Sequence, residues 1–84
     1  MDKESDLPDY TTSDLGEASY IGMKYPVLDI RPAPSSPHRL EFVFDPGAAL
    51  MGKDYYRGAT VEAQRLLMVF RELKGRLFRT LRQR

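Results

Sequence analysis

One segment of the sequence has the spacing of a phosphate-binding loop. Residues 47–54 read Gly-Ala-Ala-Leu-Met-Gly-Lys-Asp, which fits the pattern G-x-x-x-x-G-K. Such a loop needs a Ser or Thr after the lysine, because that hydroxyl binds Mg²⁺. Asp54 stands at this place and would bring a negative charge close to the phosphates. Since the intervening Ala-Ala-Leu-Met also favours helix, the segment predicts a plain helix and not a nucleotide site.

Residues that could perform acid, base or metal chemistry are sparse. His38 is the single histidine, cysteine is absent, and no Ser-His-Asp order follows it. Asp2, Glu4, Asp6 and Asp9 alternate near the start, but they lack the glycine and the terminal glutamate of a calcium-binding hand. We therefore predict no catalytic residue, no metal, no cofactor and no small-molecule substrate. The chain is expected to act by non-covalent binding and not as an enzyme.

Charge is separated along the chain. The formal net charge is +1, yet in residues 1–20 one lysine stands against six carboxylates, a balance of −5. In residues 61–84, seven arginines and lysines stand against two glutamates, a balance of +5. Residues 1–9 hold too few apolar side chains to offset the entropy of ordering, so they predict a disordered acidic arm. Residues 10–84 are predicted to form a single small domain.

Membrane and export signals are missing from the sequence. The longest apolar run, residues 66–70, is far shorter than the roughly 20 residues that cross a bilayer. The start is acidic, where a signal peptide needs a basic segment before an apolar one. Because cysteine is absent, a reducing compartment is the natural setting. We predict a cytoplasmic protein with no membrane partner.

The first half of the domain predicts a helix followed by a hairpin. Hydroxyl and carboxylate groups around Ser13 can cap a helix, which Pro26 ends near Lys24. Alternating apolar residues then predict strands over residues 27–31 and 39–44. The proline-rich stretch between them predicts a long hairpin loop.

The second half predicts two helices. An Asp-Pro-Gly entrance precedes a short helix over residues 48–56, which Gly58 closes. Thr60 can cap a long amphipathic helix over residues 61–81. The expected fold class is α+β, in the order α-β-β-α-α, with the long helix packed on the two-stranded antiparallel hairpin.

The long helix has two unlike faces. Its core-facing stripe has the width of a packed helix, with Phe70 and Leu73 at the centre. The stripe comprises Ala63, Leu66, Val69, Phe70, Leu73, Leu77 and Leu81. Three arginines, Arg71, Arg79 and Arg82, fall on the opposite side at about 100° per residue. Glu72 is placed to form an ion pair with Arg76.

The arginine side of this helix is the first candidate for function. Guanidinium groups suit phosphate oxygens, so Arg71, Arg79 and Arg82 predict nucleic-acid binding. Against this, the isoelectric point of about 8.0 is low for a dedicated nucleic-acid binder. An acidic protein surface is the other partner that these charges suit.

The alternative function rests on apolar residues that lie outside the core-facing stripe. Leu67, Met68 and Phe78 remain after the core is filled, and an apolar patch rimmed by arginines has the composition of a protein interface. The alternative is therefore a protein-binding regulator or inhibitor, or a small homodimer.

Several short motifs resemble a family of small bacterial and phage proteins of unknown function. The resemblance covers roughly residues 10–80. The matching segments are Thr12-Ser13-Asp14 followed by Ala18, then Phe42-Val43-Phe44, Tyr55-Tyr56-Arg57-Gly58, and the helix from Val61 through Leu73-Lys74. The chain departs from the family at Lys24, where a glycine is usual. The resemblance implies the fold given above and a mobile-element setting, with no activity or cofactor attached.

Overall fold

The structure, a computed structural model, describes residues 8–83, so most of the predicted arm lies outside the described residues. The fold is α+β, as predicted, with a three-stranded antiparallel sheet and three helices. Its elements are β1 (Tyr10–Thr12), α1 (Leu15–Gly22), β2 (Asp29–Ala33), β3 (Ser36–Phe44), a 3₁₀ turn (Pro46–Ala48), α2 (Ala49–Tyr56) and α3 (Ala63–Arg82).

The sheet has one strand more than the predicted hairpin. β3 lies in the middle, between β1 and β2, and both pair with it antiparallel. Tyr10 stands opposite Phe44, and Thr12 stands opposite Phe42. The predicted order α-β-β-α-α is therefore wrong in detail, because β1 precedes α1. Three residues are too few to show a period of two, so this strand leaves no signal of its own.

The hairpin between β2 and β3 is tighter than predicted. Ala33 pairs with Ser36, so only Pro34 and Ser35 remain in the turn. Pro32, which was assigned to the loop, belongs to β2. A proline is tolerated there because β2 is an edge strand, where a ladder hydrogen bond can be missing.

Capping side chains fix the starts of two helical segments. The Asp14 carboxylate accepts a hydrogen bond from the Glu17 N–H at 3.0 Å and begins α1. The Asp45 carboxylate accepts from the Gly47 N–H at 2.8 Å, as the Asp-Pro-Gly entrance predicts. Gly58 ends the α2 region with φ of 89°, a conformation that favours glycine. Residues 49–56 are helical, so most of the segment with phosphate-loop spacing lies in a plain helix, as predicted. Its first two residues lie in the 3₁₀ turn before that helix.

The long helix makes its most extensive contact with α1, which was not predicted, and it also packs on β3 of the hairpin. Leu73, 3% exposed, is the one buried residue of α3, and it joins a core that includes Ile21, Phe42 and Phe44. The helices approach closely at Gly22. A Cβ added there would lie 3.0 Å from Val69 Cγ1, so a larger residue would push α3 away.

The centre of the buried stripe differs from the predicted one. Val69 and Leu77 flank Leu73 against the core, whereas Phe70 is only half-buried and does not belong to the apolar group packed there. Leu81, at the end of the stripe, is about half exposed, so the stripe is not covered along its whole length. The predicted cap at Thr60 is also wrong, since α3 begins after Glu62.

We expect Leu73→Ala and Phe70→Ala to differ in cost. Leu73→Ala removes buried methyl groups and leaves a cavity, so it should lower the free energy of unfolding by about 2–5 kcal/mol. Phe70→Ala should cost less, roughly 1–2 kcal/mol, because this ring lies outside the buried cluster and stays partly exposed. Denaturant midpoints measure both, with the exposed Met68→Ala as control. Equal losses for Leu73 and Phe70 would contradict the observed phase of α3.

Candidate functional site

A buried carboxylate is the most unusual polar group in the described chain. Glu17 is only 2% exposed. Its Oε1 accepts hydrogen bonds from the Thr12 hydroxyl at 2.7 Å and from the Tyr56 hydroxyl at 2.9 Å. Its Oε2 accepts from the Tyr10 hydroxyl. We call these four residues the Glu17 cluster; it joins β1, α1 and α2.

The geometry of the Glu17 cluster suits structure and not acid–base chemistry. Burial, with the neighbouring Glu17, raises the pKa of Tyr10 to about 12. The hydrogen bond to Glu17 is the main cause that raises the pKa of Tyr56. Both phenols therefore keep their protons at neutral pH and act as donors. Because the carboxylate is covered, a substrate cannot reach it.

Sequence reasoning missed the Glu17 cluster, although a local signal was present. Asp14 and Glu17 have the spacing of a capping box, in which the glutamate side chain turns back to the N-cap N–H. Here Glu17 turns inward to the hydroxyls instead, because Tyr10 and Thr12 lie two residues apart on β1 and face the same side. Only the position of β1 beside α1 reveals this alternative.

The second glycine of the phosphate-loop spacing serves the same cluster. Gly52 is buried, and a Cβ added to it would lie 2.6 Å from Glu17 Oε2 and against the Tyr10 hydroxyl. No side chain fits between α2 and the cluster without moving one of them. The glycine is thus explained by packing.

The outward side of α3 is the surface where large apolar side chains meet solvent. Leu67, Met68, Phe78 and Leu81 are 48%, 68%, 50% and 47% exposed. All three residues predicted to bind a partner belong to this group, and Leu81, which was assigned to the core stripe, joins them. The α3 outer face is defined by Leu67, Met68, Arg71, Phe78, Leu81 and Arg82.

The three predicted arginines are exposed, but the helix does not bring them together. Arg71 and Arg82 lie on nearly the same side of α3, eleven residues and about 16 Å apart. Arg71 borders a depression with Leu67 and Met68. Arg79 instead lines a cleft towards β2. Two of the three therefore belong to the α3 outer face.

The cleft towards β2 is polar. It has a volume of about 320 Å³, and Asp29, Arg76, Arg79 and Thr80 contribute to its walls. The predicted ion pair between Glu72 and Arg76 is absent. Within residues 8–83, the ion pair that forms joins Arg31 Nε to Glu41 Oε2 at 3.2 Å. Arg76 lines this cleft and also a neighbouring depression that Glu72 borders.

A third cleft lies where α3 passes β3 and the start of α1. Its volume is about 210 Å³. Leu40, Phe42, Leu77 and Leu81 provide apolar walls, and His38 is one of the polar residues beside them. His38 is exposed and lies in β3.

Metal and membrane features are missing from the part of the chain that the structure describes. Among residues 8–83, no group of three or more His, Cys, Asp or Glu side chains could hold a metal ion. None of the helices described there has the length and apolar character needed to span a bilayer.

Comparison of the chain with protein-family models, with curated proteins and with solved structures finds no match. The resemblance to a family of small bacterial and phage proteins therefore stays a hypothesis.

Two glycine-to-alanine changes should have opposite effects. Gly52→Ala should destabilise the fold by about 1–3 kcal/mol, because the new Cβ overlaps the Glu17 cluster. Gly75→Ala should stabilise it by about 0.5–1 kcal/mol, since Gly75 lies inside α3 and the added Cβ meets only Arg79 Nη1, at 3.5 Å. Thermal or denaturant unfolding measures both changes. A stabilising Gly52→Ala would show that the cluster is not tightly packed.

Alkaline pH should weaken the fold through Tyr10. An ordinary tyrosine ionises near pH 10, so the unfolded chain releases this proton before the folded chain, whose Tyr10 pKa is about 12. The contribution is complete below pH 10 and is lost as pH rises towards 12. Unfolding midpoints measured across this range should fall less steeply for Tyr10→Phe than for Tyr20→Phe, which leaves the Glu17 cluster intact. Identical slopes would argue against the Tyr10 contact.

Proposed function

We propose that the chain is a small non-catalytic protein-binding module, whose α3 outer face binds an apolar partner segment with acidic residues along its rim. The observation that carries the proposal is the exposure of Leu67, Met68, Phe78 and Leu81 on one helix. Leu67 and Met68 lie near the start of α3, and Phe78 and Leu81 lie near its end, about 15 Å away, with Arg71 between the two pairs. Exposed apolar side chains next to arginines are typical of a protein interface.

The charge around this surface indicates the chemistry of the partner. Within the described residues 61–83, six arginines and lysines stand against two glutamates. Arg71 and Arg82 border the apolar residues directly. A second copy would bring like charges together, which opposes association. An acidic partner would be attracted at a distance and then held by the apolar contacts.

Nucleic-acid binding is the second candidate. Among residues 8–83, the ion pair that forms joins Arg31 of β2 to Glu41 of β3. Within this range the arginines of α3 have no carboxylate partner, which favours binding to phosphates. Against it, a phosphate backbone offers little to Leu67, Met68 or Phe78. Arg79 also points away from the side that Arg71 and Arg82 share. Protein binding accounts for both the charges and the apolar residues.

The test of protein binding uses a designed peptide helix with leucines on one face and glutamates elsewhere, and the same peptide with lysines. The glutamate peptide should bind saturably, and the lysine peptide should not. Leu67→Glu and Phe78→Glu should each weaken binding at least about tenfold, as expected at a central apolar contact. Leu50→Glu is the matched control, since Leu50 is 70% exposed but lies on α2. Equal losses in all three variants, or no binding, would overturn the proposal.

The nucleic-acid candidate has a separate test. Replacing Arg71, Arg79 and Arg82 together by Gln should leave the fold intact, since all three are exposed. If they bind phosphates, affinity for duplex DNA should fall for every sequence alike. The slope of log K against log salt should flatten by about 0.9 per contact removed. Absence of attachment to DNA or RNA at ~50 mM salt would end this candidate.

A further inference from the structure

The third cleft combines an apolar interior with a polar mouth. Leu40 and Phe42 form part of its wall and are 8% and 1% exposed, so the cleft reaches the edge of the core. Leu77 and Leu81 of α3 form the other side. A group that enters would contact apolar atoms on both sides and leave water at the mouth.

The polar residues at this cleft carry no negative charge. Ser13, His38 and Arg39 are all exposed, and none of the described residues that line the cleft has a carboxylate. An anionic group at the mouth would therefore lie beside Arg39, and none of the residues that line the cleft is an acid. A cationic group would be repelled.

The size of the cleft matches one side chain. Its volume of about 210 Å³ is below the roughly 300–1,000 Å³ of sites that enclose a whole small molecule. A single leucine or phenylalanine side chain is the kind of group that such a space accepts. Binding that relies on it would need further contacts outside.

Those further contacts lie on the α3 outer face. Leu81 belongs both to the cleft and to the exposed apolar group, and Phe78 lies one turn earlier on the same helix. A partner helix that lies along α3 presents apolar residues three or four positions apart. One of them reaches the cleft while the next contacts Phe78. Leu67 lies about 16 Å further along α3, so it would contact a residue about three turns away on the partner helix.

We infer that this cleft is the anchor site for the partner: it accepts one aliphatic or aromatic side chain, and Arg39 binds a carboxylate next to that side chain. The inference rests on the proposed function and adds the identity of the anchoring contact. The occupant that we propose is an acidic amphipathic helix of another protein. A second copy is disfavoured because Arg39, Lys74 and Arg82 would face their own equivalents.

The first experiment uses small probes that share this chemistry. Hexanoate, hexanol and hexylammonium are titrated into the full chain, and the methyl signals of Leu40, Leu77 and Leu81 are followed by NMR. Hexanoate should shift these methyls saturably and bind about two- to fivefold tighter than hexanol, the ratio expected of an exposed charge contact. Hexylammonium should bind more weakly than hexanol.

Two charge variants test the role of Arg39. Arg39→Gln should remove the preference for hexanoate over hexanol. Arg57→Gln, which changes an exposed arginine at the end of α2, should preserve it. Equal effects of the two variants would show general charge attraction and overturn the inference. Hexanoate shifts spread evenly over the protein would do the same.

Leu81→Asp and Phe78→Glu distinguish a wrong anchor site from a failure of protein binding itself. Leu81→Asp alters the cleft wall at a half-exposed position, so the fold should survive, and binding of the glutamate peptide should fall at least about tenfold. If Phe78→Glu abolishes peptide binding while Leu81→Asp leaves it unchanged, the module binds protein but the anchor is wrong. If the probes bind and no peptide does, the proposed function fails and the anchor role fails with it. A dimer in solution that Leu81→Asp converts to a monomer would replace the acidic partner with a second copy.

Discussion

The buried carboxylate of Glu17 is the constraint on which the rest of the structure depends. A charge so deeply covered is costly unless its oxygens are fully hydrogen-bonded. Tyr10, Thr12 and Tyr56 supply three hydroxyls, one pair from β1 and the third from the end of α2. Removing any of these donors would leave part of the charge unsatisfied. The Glu17 cluster therefore fixes β1 against α1 and α2 against both.

This arrangement explains why several apolar side chains of α3 are exposed. α1 is fixed by the cluster on one side, and it contacts α3 on the other at Gly22, where an added Cβ would lie only 3.0 Å from Val69 Cγ1. The contact buries Leu73 and its near neighbours. Phe78, which lies beside the apolar stripe, and Leu81 stay about half exposed. These exposed side chains form part of the surface to which we propose that a partner binds.

Sequence patterns predicted the individual helices and strands better than the contacts between them. The Asp-Pro-Gly entrance, Gly58 and the alternation of Phe42 and Phe44 each gave an element within a few residues of its place. β1 was missed because three residues have no period, and Pro32 was assigned to a loop because its tolerance depends on an edge position. For the candidate site, the exposure of Leu67, Met68 and Phe78 followed from helical geometry. The place of Arg39 in the lining of the third cleft did not. Arg39 comes near Leu81 only through the packing of α3 beside β3.

The sequence by itself determined that a long helix with apolar and basic sides occupies most of residues 61–81, because helix propensity and a period of 3.6 act between close neighbours in the chain. It also excluded catalysis by cysteine, because the sequence contains no cysteine. Only the tertiary structure decided which apolar residues of this helix are covered. Coverage of Leu73 and exposure of Phe78 depend on where α1 meets α3, and that contact joins segments far apart in the chain. Local patterns carry no information about such a contact, because its position is set by the shape of both surfaces.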